Sequence, residues 1–456
     1  MIDVSTVSEV GNLGVATTIN RAAYLTNLLS LRSPLTDDLR WLQEVRDRAT
    51  ARVQELALPS TRDEEWRFTD LSSLLATEFK AVSGEPSTIS QAAIAPYLLP
   101  EAANRLVFVD GIFLPELSVA ADLPANAFIG NLTAAYREAA LRDRLLNQLG
   151  KQPGAEETFT TLNTASMTDA AVLYIPSNHV VEAPIHLLFL STTGQASAIT
   201  HPRCLVIVES SSSLTLVEDY IALDASVYFT NAVTEVWVEA NAQVNHTRIQ
   251  RDSQTAFHIG KTAVSQARDS HYTCNAISLG AALSRHNLEV YQTGEQTHTV
   301  LNGLTMIADQ QVADTHSLIS YTQPYGTSNQ VHKCIVDDRA HAIFNGKIFV
   351  PKAAQLTDAR QLSKNLLVSP KARVDTKPQL EITADNVKCA HGATVSQLES
   401  DEVFYLQSRG IDENSARKLL VYAFAYDVIS QIPIVSLRDT LAANVRVPHR
   451  KHGSIA

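Results

Sequence analysis

A mainly β chain held between helical ends is what this sequence predicts, and three observations predict it. Between about residues 170 and 395 the chain runs as short β-rich segments, and no 12-residue stretch there carries a helical stripe. Both flanks, by contrast, place apolar residues at helical spacing. Inside the β-rich part a loose His-x-x-x-Asn pattern recurs, which points to stacked coils.

The region 1–165 reads as helical and mixed. In "TDDLRWLQEVRDRATARVQEL", Thr36 is placed as an N-cap, and Asp37 and Asp38 sit where the helix dipole favours acids. Leu39, Leu42, Val45, Ala49 and Val53 then form one stripe, and Pro59 ends it. A connection containing Gly84 and Pro86 follows. "RLVFVDGIF" predicts a strand turned by Asp110-Gly111 into a hairpin, and Gly150 closes a helix as its C′ residue.

The region 166–395 contains "AVLYIP", "IHLLFLS", "CLVIVES", "AVTEVWVEA" and "AIFNGKIFV", separated by turn residues. So much strand without helix allows a sandwich, a barrel, a propeller or a β-solenoid. The repeat favours the solenoid. "HYTCN" from His271, "HTVLN" from His298 and "HAIFN" from His341 are spaced by 27 and 43 residues, and His246 lies 25 before His271. The shorter spacings suit one coil and the longest suits two. Positions i and i+4 of a strand share a face, so each His and Asn would lie on one side, in polar ladders.

The region 396–456 returns to helix. Ser400 is placed as a cap ahead of "DEVFYLQSRG", with Gly410 as a stop; a second helix runs from a cap at Asp412 to Pro433 with Leu419, Leu420, Ala423, Phe424 and Ile429 on its apolar face.

Composition narrows function. The 456 residues carry a net charge of −11, which argues against nucleic acid as the main partner; the closing run Arg446, His449, Arg450, Lys451 and His452 reads as a solvated tail. The start, with Asp3 and Glu9, lacks the pattern of a signal peptide, and no apolar run of about 18 residues spans a membrane. Cys204, Cys274, Cys334 and Cys389 are dispersed, as expected of reduced thiols in a cytoplasmic protein.

The chain has no phosphate-binding Gly-Lys-Ser/Thr loop, no dinucleotide fingerprint, no His-Glu-x-x-His and no nucleophile elbow. A polysaccharide-cleaving β-solenoid needs two carboxyls about 5 to 10 Å apart. Adjacent Asp337 and Asp338 point to opposite faces of a strand and read better as a turn. What remains is "NVKCAHGATVSQL". At i and i+2 of a strand, Cys389 and His391 project to one side, and a thiolate beside an imidazole suits iron or zinc. Gly392 would end the strand or let another backbone approach. Two ligands fall short of four, so Cys334, His332 or a second chain must complete any centre.

The stretch "DNVKCAHGATVSQLESDEVFYLQSRGI" resembles the terminal signature of the SufB/SufD family of the SUF iron–sulfur cluster assembly system. The resemblance extends upstream through "NQVHKCIVDDRAHAIFNGKIFVPKAAQL" and, more thinly, to "LPSTRDEEWRFTDL". Gly392-Ala393 stands where SufB-type chains carry a Glu after the His, so the branch indicated is SufD. That implies a right-handed parallel β-helix core flanked by helical N- and C-terminal regions, and a non-catalytic scaffold. It implies a SufB-like partner joined through the β-helix and a SufC-like ABC ATPase, which supplies ATP hydrolysis, recruited by the C-terminal helices. A homodimer is the expected form of the isolated chain. A transient iron–sulfur cluster or iron would sit at the shared interface, with His391 and Cys389 as ligands and the rest from SufB. Phe404, Tyr405 and Arg409 are the residues placed against SufC. The alternatives are a SufB-like homo-oligomeric cluster scaffold and a polysaccharide-active β-helix enzyme.

Overall fold

Parallel strands cannot be joined by tight hairpins, so a chain that pairs them in sequence must wind as a coil. The computed structural model does this; it describes residues 20–82, 89–121, 123–192 and 197–446. The closing basic run, the Gly84 and Pro86 connection, Asp3 and Glu9 lie outside the described residues, as does the Arg446 side chain. The core is a parallel β-solenoid of about seven turns.

Alternate strands feed two sheets. The first runs through Phe229–Val238, Phe257–Gln266, Leu283–Gln292, Val312–Tyr321, His341–Val350 and Arg373–Ile382, and the second through Gln243–Arg251, His271–Ser278, His298–Ile307, Thr327–Val336, Asp358–Leu367 and Lys388–Gln397. Strands Asn104–Val109 and Phe128–Asn131 extend the two sheets at the other end, the former through the antiparallel hairpin turned at Asp110 and Gly111, both with positive φ. The six second-sheet strands from Ser213–Ala222 to Asp358–Leu367 are each entered two residues after a left-handed corner: Ser211, Asn241, Asp269, Gln296, Tyr325 and Leu356 all have φ between 57° and 63°. None is glycine, so the corners carry no common residue that would mark the coils in the sequence.

The His-x-x-x-Asn pattern is half a ladder. His271 stacks on His298 and Asn275 on Asn302 in adjacent coils, with Asn302 Nδ2 donating to Asn275 Oδ1 at 2.9 Å. His341, however, opens a strand of the first sheet, so its spacing of 43 is not two coils. His246 pairs with Cys274 rather than His271 and points into the core. It approaches Glu218 at 3.1 Å and the Tyr272 hydroxyl at 3.0 Å, and Thr234 also donates to Glu218. Burial alone would raise the Glu218 carboxyl, but the His246 imidazole and the Arg248 guanidinium outweigh it and hold the group down at about 2.

Local signals hold in part. Thr36 precedes a 3-10 turn, Asp37–Leu42, which feeds the helix Gln43–Gln54 without a side-chain cap. Ser400 is the first helical residue rather than the cap, and Glu399 takes the cap position. Asp412 does cap, accepting from the Ser415 amide, and Gly150 and Gly410 have the expected positive φ. Asp337 and Asp338 occupy a turn after Val336. Among the described residues no helix is long and apolar enough to cross a membrane.

The segment Glu64–Thr69 straps the helical N-terminal part to the outer face of the first sheet. Trp66 lies 3.9 Å from the Arg285 guanidinium, and Thr69 donates to Asp314, the register partner of Arg285. Arg285 donates to Asp314 and to the Glu65 carbonyl, Lys377 pairs with Glu64 at 2.7 Å, and both His316 nitrogens lie 3.1 Å from carboxylates, of Glu65 and Asp314. A cavity of about 240 Å³ beside the strap is lined by Glu65, Trp66, Arg285 and His316 among others.

Two outcomes follow for the strap. Arg285→Ala leaves a fully buried Asp314 carboxylate without its main cation, so it should cost about 3 to 5 kcal/mol in guanidinium denaturation. A loss below about 1 kcal/mol would remove the pair from its structural role. Burial pulls the His316 pKa down, yet the Asp314 carboxylate more than reverses this, so the folded value lies above the ordinary one. The contribution of the charged ring is therefore complete below about pH 6.5 and fades as pH rises through the folded value. Glu65 and Asp314 have lowered values, so their contribution fades at acidic pH. Hydrogen exchange of the 64–69 amides, corrected for intrinsic rates, should show more protection at pH 6 than at pH 8.5, and His316→Gln should abolish the difference.

Candidate functional site

In a parallel ladder each residue stands directly behind its counterpart in the previous coil. Cys389 is thus placed in the column of Ala359 and Ser328, and His391 in the column of Gln361 and Gln330. Those four residues are buried in the solenoid interior, where Gln361 Nε2 donates to Gln330 Oε1 at 2.8 Å. Cys389 and His391 therefore continue interior columns, and Cys389 packs against the core. They reach solvent because Lys388–Gln397 is the last strand of its sheet: Cys389 is half-buried and His391 exposed. The first sheet ends alongside at Arg373–Ile382, so both sheets present an unpaired edge at this end.

Gly392 does not end the strand, which runs on to Gln397, and a Cβ there would meet only Leu362 at an ordinary 3.4 Å. Cys334 and His332 do not complete the pair either. They stand two strands back, behind Val395 and Ala393, at a depth of about 10 Å from the edge. Among the described residues no group of three or more His, Cys, Asp or Glu side chains is placed to hold a metal ion. The edge therefore offers one thiol and one imidazole facing outward along the solenoid axis, a partial ligand set.

The four thiols are unequal. Burial raises Cys274 and Cys334 to about 12 and Cys204 well above its ordinary value, and all three are fully buried. Burial also raises Cys389, helped by the Asp358 carboxylate and opposed by the Ala359 backbone, so this thiol keeps its proton at neutral pH unless a metal displaces it.

The C-terminal helices pack on the outer face of the second sheet. Ala425, Val428 and Ile429 of helix Glu413–Ile429 share one apolar cluster with Val217, Ile249, Ile277, Leu304 and Ile335, and the helix lies against strands His298–Ile307 and Thr327–Val336. The buried face is thus Ala416, Ala425, Val428 and Ile429; Leu419 and Ala423, placed on it by spacing alone, are exposed. A clamp missed in the sequence fixes this helix. Buried Lys333 donates to the Phe424 carbonyl at 3.0 Å, pairs with Asp427 at 2.7 Å and lies 4.4 Å from the Phe424 ring. Only the apolar neighbours of Lys333 hint at it, since an outward lysine in a strand ordinarily faces water.

On the preceding helix, Ser400–Ser408, Phe404 is 70% and Tyr405 58% exposed, which rules out a role in core packing for either. Arg409 lies over the Tyr405 ring at 5.2 Å and donates to its hydroxyl at 3.3 Å, so these two form one outward surface element, with exposed Phe404 next to Tyr405 in the chain.

The structure is thus a parallel solenoid whose open end carries a thiol and an imidazole and whose helical appendage displays aromatic side chains. Comparison with known proteins gives its family. Residues 189–424 match the model described as "SUF system FeS cluster assembly, SufBD core domain", and residues 30–187 the model of the SufBD protein N-terminal region. An iron–sulfur cluster assembly SufBD family protein of Synechocystis is 49% identical over 87% of this chain and 88% of its own length. The iron–sulfur cluster assembly protein SufD of Escherichia coli is 30% identical over 85% of this chain and 88% of its own, and that of Bacillus subtilis 26% over 88% and 93%. The chain belongs to the SufBD family of iron–sulfur cluster assembly.

The burial pattern sets a simple test. A small thiol reagent should label one cysteine per native chain, Cys389, with a rate that climbs with pH, and four after denaturation. Labelling of Cys204, Cys274 or Cys334 at the same native rate would show that the solenoid opens.

Proposed function

We propose that this chain is a non-catalytic scaffold subunit that stacks the open end of its solenoid on a SufB-like partner and supports assembly of a nascent iron–sulfur cluster there. The observation that carries this reading is the continuation of two interior columns into Cys389 and His391 at an uncapped end. A second solenoid laid on that edge would pair the free backbone groups and bring the missing ligands to the thiol and imidazole. The iron or cluster is cargo held between two chains, with His391 the more accessible donor of the two. It is a borderline ligand suited to iron, and Cys389 is a soft one.

On the same reading the exposed Phe404, Tyr405 and Arg409 element receives a SufC-like ABC ATPase, and Lys333 and the Glu413–Ile429 helix relay its movement to the solenoid. ATP hydrolysis belongs to that partner. When expressed alone, the chain would cover its open end with a second copy. The cytoplasm is the proposed compartment.

Co-expression with SufB-like and SufC-like partners, anaerobic purification and mass determination test the proposal. One copy of this chain, one SufB-like chain and two SufC-like chains are expected. His391→Ala should keep that composition and lower iron and sulfide content about tenfold or more. Phe404→Ala with Tyr405→Ala should lose the adjacent SufC-like subunit and keep the SufB-like one. A chain that ignores both partners would overturn the scaffold role, and unchanged iron in His391→Ala would overturn the ligand role alone.

A further inference from the structure

The His-x-x-x-Asn repeat singled out a pair of histidines that the proposed cluster edge does not use. His271 and His298 open adjacent strands of the second sheet and are register partners one coil apart. Their rings are 5.4 Å apart between centroids and inclined by 49°. They share a surface concavity with Gln296, Tyr325 and Thr327. Gln296 and Tyr325 are the left-handed corner residues of successive coils, so the backbone itself brings their side chains to this spot.

The hydrogen bonds around His298 fix which nitrogen is free. Its Nδ1 lies 2.6 Å from the Thr327 hydroxyl in the next coil. That hydroxyl also lies 3.4 Å from the Thr297 carbonyl. With Nδ1 engaged by Thr327, Nε2 is the nitrogen open to a ligand, and the tautomer in which Nδ1–H donates to Thr327 Oγ1 leaves its lone pair bare. An outer-shell acceptor on one ring nitrogen is how proteins orient an imidazole for a metal on the other. The His271 ring is exposed and has no hydrogen-bond partner among the described residues.

The spacing favours one shared ion. With metal–nitrogen distances of about 2.0 to 2.1 Å, each ring centroid lies about 3.1 Å from the metal, and a tetrahedral angle then separates the two centroids by about 5.1 Å. A right angle would bring them to about 4.4 Å at the same bond lengths. The 5.4 Å between these rings matches the tetrahedral case.

We propose that His271 and His298 bind one divalent first-row transition ion of tetrahedral preference, such as Zn²⁺, on the corner of the solenoid, with Thr327 as the positioning residue. Water, or the Gln296 and Tyr325 side chains, fill the remaining positions. This ion is separate from the cargo at the Cys389 edge, and the inference stands whether or not that edge holds iron.

Titration of the full chain with Co²⁺, followed by Zn²⁺ displacement, tests it. To remove the edge ligands, the titration uses the Cys389→Ser/His391→Ala double variant. One equivalent of Co²⁺ with the intense visible bands of four-coordinate cobalt is expected. The bands should vanish with the further change His271→Ala, an exposed position whose loss leaves the fold intact by circular dichroism. Thr327→Val should weaken binding about tenfold. The weak bands of six-coordinate cobalt alone, or bands indifferent to His271→Ala, would overturn the proposal.

Discussion

In-register parallel pairing from coil to coil is the constraint on which the rest of this structure depends. It makes every interior side chain the neighbour of its counterpart in the previous coil, so an interior polar group must be answered from the same column or across the core. Glu218 shows what that demands. A carboxylate with no access to water is kept ionised by His246, Thr234, Tyr220 and the nearby Arg248, contributed by several strands. Removing any one of them would leave a buried acceptor or charge unpaired, so these columns hold the coils in register more strictly than an apolar core would.

The same constraint decides what stands at the end. The columns do not change character at the last coil; only the cover disappears. Gln361 donates its side-chain amide to Gln330 behind it, whereas His391, next in that column, has no coil in front. Cysteines follow the same logic. Cys274 and Cys334 are sealed inside with their protons held tightly, while Cys389 differs from them by position rather than by residue type. The half-buried thiol among the four is thereby confined to one end of the molecule.

How much of this the sequence disclosed depended on whether a signal was local. Strand runs, the Asp110-Gly111 hairpin, the Asp412 cap and the Gly410 stop are written in adjacent residues and were legible. The coil count was not, because the corners use Ser211, Asn241, Asp269, Gln296, Tyr325 and Leu356 in one backbone conformation, with no shared residue to count. The His341 spacing misled for a related reason. The two sheets alternate along the chain, so one and a half coils mimic a repeat. The Lys333 clamp and the Arg285–Asp314 pair were invisible, since their partners lie 91 and 29 residues away and the lysine and arginine look like ordinary surface residues. Of the candidate site, the same-side projection of Cys389 and His391 followed from strand periodicity alone. That their side faces the interior, and that the interior is open there, needed the register.

An open solenoid end is an unstable boundary in its own right. Two sheets finish there with rows of free N–H and C=O groups, and Ile382 and Val395 add exposed apolar surface. Solenoids ordinarily protect such ends with a capping helix or a charged, twisted strand. Here the C-terminal helices lie elsewhere, on the outer face of the second sheet, pinned by Lys333 to Phe424 and Asp427. The chain thus places its helices on a lateral surface that displays Phe404 and Tyr405 and leaves the end uncovered among the described residues. The helix and the open end are close in the ladder, because the strand that carries Lys333 lies one strand behind Asp358–Leu367 and two behind the strand of Cys389 and His391. A force applied to the Glu413–Ile429 helix enters the sheet at Lys333 and has only that short ladder to cross before it reaches the edge.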